Sequence, residues 1–199
     1  MQKMMNENVN ECFIKSVQEQ DGMADQWLKY GANIETFTSN GFTALILAIE
    51  NKDLDTVKLL LEKGANVNTC NPRNGYTPLM YACRIGTKKI LQSLLEFGAD
   101  PNSKNKHGAT AMMESVNLND PEIVDLLIKY GADINIRRRD GKTAIMLASR
   151  NNKIEIVKCL LKHKADISIM SDDRTATMYA YQHGNLDVVK LLFESVKKR

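Results

Sequence analysis

Three histidines and four cysteines, with a scatter of carboxylates, are the side chains of this 199-residue chain that could carry acid–base, nucleophilic or metal chemistry. His107, His163 and His183 stand in three separate segments, and neither H-E-x-x-H nor any other His pair at metal-ligand spacing occurs. Cys12, Cys70, Cys83 and Cys159 lie far apart with no C-x-x-C pair. That argues against a disulfide frame and a zinc site, and it fits a reducing compartment. The spacing brings no Ser or Cys beside both a His and an acid, so a hydrolytic triad is not expected. The phosphate cradles G-x-x-x-x-G-K-[ST] and G-x-G-x-x-G are absent. The one paired acid, Asp172-Asp173, reads as a turn former rather than a metal site. No catalytic residue, no metal ligand and no cofactor is therefore expected, and the chain does not read as an enzyme.

Composition sets further bounds. At 43% hydrophobic and 26% charged residues the chain has an ordinary soluble balance. No apolar run is long enough to span a membrane, and Met1–Asn10 lacks the apolar core of a leader peptide. The expected location is the cytoplasm, or a host cell reached without a cleavable signal. A net charge of +3 does not by itself imply nucleic acid.

What would position any functional group is a repeated unit. In Asn40–Asn68 the apolar residues Leu45, Leu47, Ala48 and Ile49, then Leu54, Val57, Leu60 and Leu61, fall at helical intervals on two runs separated by Glu50-Asn51-Lys52-Asp53. The unit reads as helix, tight turn, helix, with Gly64 as the stop. Such a hairpin cannot close a core alone, so copies should stack. The Gly-Ala pair recurs at Gly31, Gly64, Gly98 and Gly131, with Lys164-Ala165 in the same place, in steps of 33, 34, 33 and 33 residues. A period near 33 marks a helical solenoid. The predicted architecture is all-α. Residues 1–8 are expected to be disordered and residues 9–199 to form one repeat domain, with units at about 9–36, 37–69, 70–103, 104–136, 137–168 and 169–199. The first and last are degenerate caps, each expected to carry a polar outer face. Trp27 is expected in the core. Lys197-Lys198-Arg199 reads as favourable charge at a helix C-terminus rather than a nuclear signal.

The motifs Gly75-Tyr-Thr-Pro-Leu-Met-Tyr-Ala82 and Gly141-Lys-Thr-Ala-Ile-Met-Leu-Ala148, with the closures ending at Asn68 and Asn135, resemble the ankyrin repeat family over about residues 9 to 196. The resemblance implies an ankyrin-repeat solenoid of helix-turn-helix units joined by β-hairpin-like turns. Where the family usually has His after Thr-Pro-Leu, this chain has Ile46, Met80, Met113, Met146 and Met178, expected as apolar filler between repeats, the unbranched Met side chains taking up uneven gaps. No F-box-like stretch follows the sixth unit, so recruitment to a ubiquitin ligase by that route is not expected.

The family's turn tips and first-helix ends form a concave surface that binds partner proteins. Carried over, that surface would include Phe42, Arg73, Tyr76, Arg84, Ile85 and Leu118, with exposed apolar groups beside arginines. It would also include Lys106, His107, Arg139, Lys142, Arg150 and Arg174. Lys104, Arg137 and Arg138 add positive charge against Glu50, Glu114, Asp140, Asp172 and Asp173, so the face should be more positive than the chain. The implied function is a monomeric protein-binding scaffold or adaptor for an acidic partner segment. The alternative is binding of nucleic acid or an anionic small ligand through the basic tips, which needs more aromatics than Phe42 and Tyr76 to stack bases. The resemblance also implies possible targets of an asparaginyl hydroxylase at Asn68, Asn102 and Asn135.

Overall fold

The computed structural model describes residues 8–197, and the chain divides into two compact units, Met1–Asp100 and Pro101–Arg199. Residues 1–7, most of the segment expected to be disordered, and Lys198-Arg199 of the basic tail lie outside the described residues.

The first unit holds three hairpins: α1 (Val9–Glu19) with α2 (Ala24–Lys29), α3 (Ala44–Glu50) with α4 (Leu54–Glu62), and α5 (Pro78–Ile85) with α6 (Lys88–Glu96). First helices pack on first helices, α1 on α3 and α3 on α5, while α4 packs on α6. The helix starts are written in the sequence. Thr43 and Thr77 accept the N–H groups of Ile46 and Met80, each at 3.3 Å, and Pro78 occupies the first position, where no N–H is needed. Asp53 caps α4 by accepting from Thr56 N at 3.0 Å. In α3 every residue from Ala44 to Ile49 is buried. An all-round apolar helix of this kind belongs between neighbours rather than on a surface.

The second unit repeats the plan with α7 (Ala111–Ser115), α8 (Pro121–Lys129), α9 (Ala144–Arg150), α10 (Ile154–Lys162), α11 (Ala176–Gln182) and α12 (Leu186–Lys197). Here α7 packs on α9 and α9 on α11, with α8 on α10 and α10 on α12. α7 is cut short and continues as a turn of 3-10 helix, Val116–Leu118. Ser115, in the close-approach position taken by Ala elsewhere, donates to Met112 O at 2.8 Å. Lys164 replaces the stop glycine yet keeps the left-handed backbone, φ +62°, at a cost of about 1 kcal/mol.

Tip lengths follow the residue counts. The closing backbone bonds run Thr38 to Phe42, Asn105 to Ala109 and Arg138 to Lys142, one residue longer from Asn71 to Tyr76, and one shorter from Ser171 to Arg174. In the short tip both Asp172 and Asp173 are left-handed, φ +48° and +57°, as a two-residue hairpin turn requires. The tips are hairpin-like without being sheet: the described residues contain only the isolated bridge Ser171–Arg174.

Three expectations are corrected. Ile46, Met80, Met113 and Met146 are buried filler, but Met178 is 51% exposed. The outer side of the last repeat is not the wholly polar face of a cap: Met178 and Tyr181 of α11, with Leu186, Phe193 and Val196 of α12, are exposed among its polar groups. The reason is legible, because Leu186, Val189 and Phe193 repeat the places of Ile154, Val157 and Leu161 in α10, the pattern of an interior repeat. Trp27 is half-buried, since α2 is only six residues long and buries only Ala24 fully. The indole meets Tyr30 edge-on at 6.0 Å instead of filling a core.

Candidate functional site

In the first unit the predicted site residues converge on Tyr81. This ring is almost fully buried, and its hydroxyl accepts from Asn71 and Asn74 Nδ2, each at 3.2 Å. Phe42 lies edge-on to it at 5.6 Å, and Tyr76 is tilted against it at 5.4 Å. The Arg84 guanidinium sits 4.9 Å from the Tyr81 ring centre and 5.7 Å from that of Tyr76, and donates to Glu50 of the preceding repeat at 2.9 Å. Arg73 donates to the Ser39 carbonyl on the neighbouring tip. Phe42, Tyr76 and Ile85 are therefore half-buried, not exposed as expected, because stacked tips cover one another's apolar faces. Leu118, in the second unit, is half-buried as well. Close stacking also fixes Gly41: a Cβ there would lie 2.6 Å from Asn71 Oδ1.

In the second unit the basic residues fall into two groups. Lys142 has only 14% of its side chain exposed; its ammonium reaches Asp140 at 2.8 Å and sits 5.6 Å from the Tyr179 ring centre. Asp140 also accepts from Arg138, and these two cations, Arg138 first, hold its carboxyl well below the usual carboxylate range. Arg137 donates to Met170 O at 2.8 Å, Arg174 to Gln182 at 2.9 Å, and Arg150 contacts His183 Nε2 at 3.4 Å. By contrast Lys104, Lys106, His107 and Arg139 are exposed, and among the described residues their side chains form no ion pair. Backbone holds them in place: Arg139 N donates to His107 O at 3.1 Å, and Gly108 leaves no room for a Cβ, which would meet Arg139 N at 2.8 Å.

The asparagines form a regular clamp. Asn68 Nδ2 donates to Gly98 O at 3.2 Å while its Oδ1 accepts from Asp100 N at 2.9 Å. Asn102 does the same to Gly131 O and Asp133 N at 2.9 and 2.7 Å, and Asn135 accepts from Asp166 N at 2.9 Å. Each ties one closure to the next.

One expectation about chemistry is overturned. Cys159 and His163, one turn apart on and just after α10, meet Asp125 of α8: His163 Nε2 lies 2.5 Å from Asp125 Oδ1 and the Cys159 thiol 3.5 Å from it. The pairing was missed because the acid comes from the preceding repeat, 34 and 38 residues away. A repeat-to-repeat offset applied to the second helices would have found it. The group does not make a nucleophile. Burial, then the Asp125 charge, pushes the thiol up to about 11, and the imidazole nitrogen near the acid is engaged with that acid. The His163 hydrogen bond in turn holds the Asp125 carboxyl below its ordinary value.

No helix among the described residues is long and apolar enough to cross a membrane. A family model for ankyrin repeats in three copies matches residues 64–138 and 112–199, and one for the single ankyrin repeat matches residues 40–72. The chain is 46% identical over 65 residues to 2-5A-dependent ribonuclease of Homo sapiens, covering 33% of this chain and 9% of that protein. It is 43% identical over 81 residues to Ankyrin repeat and SOCS box protein 11 of Danio rerio, covering 41% and 27%. With Putative ankyrin repeat protein L371 of Acanthamoeba polyphaga mimivirus it shares 29% over 103 residues, 52% of this chain and 14% of that one. The chain thus spans about a quarter or less of the length of these relatives. The stacked hairpins, the tip turns and the family models agree, and the chain belongs to the ankyrin repeat family.

Proposed function

We propose that this chain is a non-catalytic scaffold that binds a partner protein on the tips and first-helix ends of its repeats, and that the partner offers an acidic segment there. The observation that carries this reading is the exposed set of Lys104, Lys106 and Arg139, with His107 beside them, on two successive tips, whose side chains form no ion pair among the described residues. Fixed cations without internal partners attract and orient an acidic ligand at little reorganisation cost. Arg73, Tyr76 and Arg84, with Phe42 and Ile85 beside them, supply a rigid aromatic and arginine surface of the type that anchors interfaces. Lys142, Arg150 and Arg174, together with Leu118, complete the proposed surface as residues that hold its shape, since the three cations already have partners. The four cysteines are joined by no disulfide, which suits the cytoplasmic location in this reading.

The test is capture from native lysate by the immobilised chain, compared with a Lys106→Ala/Arg139→Ala variant and a Tyr76→Ala/Arg73→Ala variant whose helicity matches the parent. Partners held by the parent should be lost with both variants; equal recovery on all three would overturn the reading. Nucleic acid or an anionic small ligand is the competing occupant. Retention of the chain on heparin or single-stranded DNA that vanishes near physiological salt supports the protein partner, and retention that persists there favours the other. Asn68, Asn102 and Asn135 are proposed hydroxylation positions. An added oxygen on their peptides, seen by mass spectrometry, is the expected result in a cell that holds the enzyme.

A further inference from the structure

Away from the tips, on the second helices of the second unit, Asp125, Cys159 and His163 bring a carboxylate oxygen, a sulfur and a ring nitrogen within 4.8 Å of one another. We propose that these three side chains form a binding site for one divalent transition-metal ion of the zinc class, with a water molecule completing the coordination.

Three features carry the assignment. First, the donors are of three kinds and come from two helices. Cys159 and His163 are four residues apart, so they share one face of the α10 end, and Asp125 faces them from α8. A thiolate, an imidazole and a carboxylate are the ligand types that zinc takes in tetrahedral sites. Second, the spacing is close to what the ion needs. With Zn–S near 2.3 Å and Zn–N or Zn–O near 2.0 Å, the edges of the tetrahedron are about 3.3–3.6 Å. The sulfur already lies 3.5 Å from Asp125 Oδ1. His163 Nε2, now at 2.5 Å from the same oxygen and within 4.8 Å of the sulfur, has to move by about 1 Å, away from the oxygen and toward the sulfur, to reach such edges, within the reach of side-chain torsions. Third, the site opens to solvent. Asp125 and His163 have 43% and 28% of their side chains exposed, and Asp125 and Cys159 border a shallow groove on the outer helices.

Lys162 is the group that competes. Its ammonium lies 3.6 Å from Asp125 Oδ1, but the side chain is 68% exposed and can swing into water when an ion takes the carboxylate. Binding replaces the thiol S–H bond by a sulfur–metal bond and releases that proton to solvent. The proton that bridges His163 Nε2 and the carboxylate also passes to solvent, Nδ1 of the neutral ring taking one up in exchange, so that the imidazole–carboxylate hydrogen bond gives way to two metal–ligand bonds. No electron is transferred. Because the ligands come from adjacent repeats, the ion would cross-link α8 to α10, stabilising the stack rather than catalysing a reaction.

The test uses the full chain and Co²⁺ alone as a spectroscopic probe, followed by displacement with Zn²⁺. One equivalent of Co²⁺ should give a near-ultraviolet thiolate-to-cobalt band that Zn²⁺ bleaches, and Zn²⁺ should raise the unfolding temperature of the chain. Cys159→Ser should abolish the band. Asp125→Asn, which keeps a hydrogen-bond acceptor beside His163, should weaken Co²⁺ binding by more than roughly 100-fold, the upper end of what loss of a merely orienting neighbour costs. Cys70→Ser, at an exposed cysteine elsewhere, should change neither readout. Absence of the band in the parent chain overturns the proposal. So does a band that survives Cys159→Ser or is lost on Cys70→Ser, or Co²⁺ affinity unchanged in Asp125→Asn.

Discussion

The segment Asn71–Arg84 in the first unit, with a tip one residue longer, and the tips of Lys104–His107 and Arg138–Lys142 in the second occupy the same place in their repeats, yet their charged groups serve different ends. In the first, Arg73 and Arg84 are tied to Ser39 and Glu50, and Arg84 lies over two tyrosine rings. In the second, Arg138 and Lys142 are tied to Asp140, whereas Lys104, Lys106, His107 and Arg139 extend into solvent. Positive charge at a repeat tip is thus of two kinds. One kind is tied within its own tip, as at Asp140, or to the neighbouring repeat, as at Glu50 and Ser39, and the other is open to a ligand. A count of Lys and Arg on the face treats the two alike and overstates what a partner can meet.

The largest expected effect lies in the first unit. Tyr81→Ala removes the buried ring on which Phe42, Tyr76 and Arg84 rest and leaves Asn71 without its phenol, and should cost about 3–5 kcal/mol in urea unfolding. A loss under 1 kcal/mol would mean that the cluster packs without its centre. Next, Tyr76→Ala should weaken partner binding by about 2 kcal/mol if it is an anchor, while Lys58→Ala, exposed on α4, should change it by less than about 0.5 kcal/mol. Equal losses at the two positions would remove Tyr76 from the interface.

The smallest effect tests the structural cations. Asp140→Asn should cost about 0.5 kcal/mol at neutral pH, because the carboxyl is partly exposed and its ion pairs are screened. Its depressed pKa fixes the sign. The contribution is present above the ordinary carboxylate value of 3.8 and is lost as the pH falls toward and through the lower folded value. The parent and Asp140→Asn stability curves should therefore converge in acid. Curves that stay parallel from neutral pH to below 3 would show that Asp140 acts by packing alone.

The helices, their caps and the tip lengths were legible in the sequence because each depends on local chemistry: Thr77 before Pro78, the extra residue before Gly75, Asp173 in place of a glycine. The site was legible only as a set of positions. Whether Arg84 or Lys142 is open depends on Glu50, Tyr81, Asp140 and Tyr179, some of which lie on the neighbouring repeat, and a reading confined to one repeat does not see them. The same blindness hid Asp125 beside Cys159 and His163. The outer face of α12 was misjudged for the opposite reason: terminal position suggested a polar cap, while its own pattern of Leu186, Val189 and Phe193 was that of an interior repeat.

The claim that the open cations bind while the tied ones build is tested most directly by the double variant Lys106→Ala/Arg139→Ala, measured twice. Its unfolding free energy in urea should stay within about 0.5 kcal/mol of the parent, since among the described residues neither side chain forms an ion pair. Its affinity for a partner captured by the parent should fall at least about tenfold, with a shallower dependence on salt. An unchanged affinity, or a stability loss as large as the binding loss, would contradict the account.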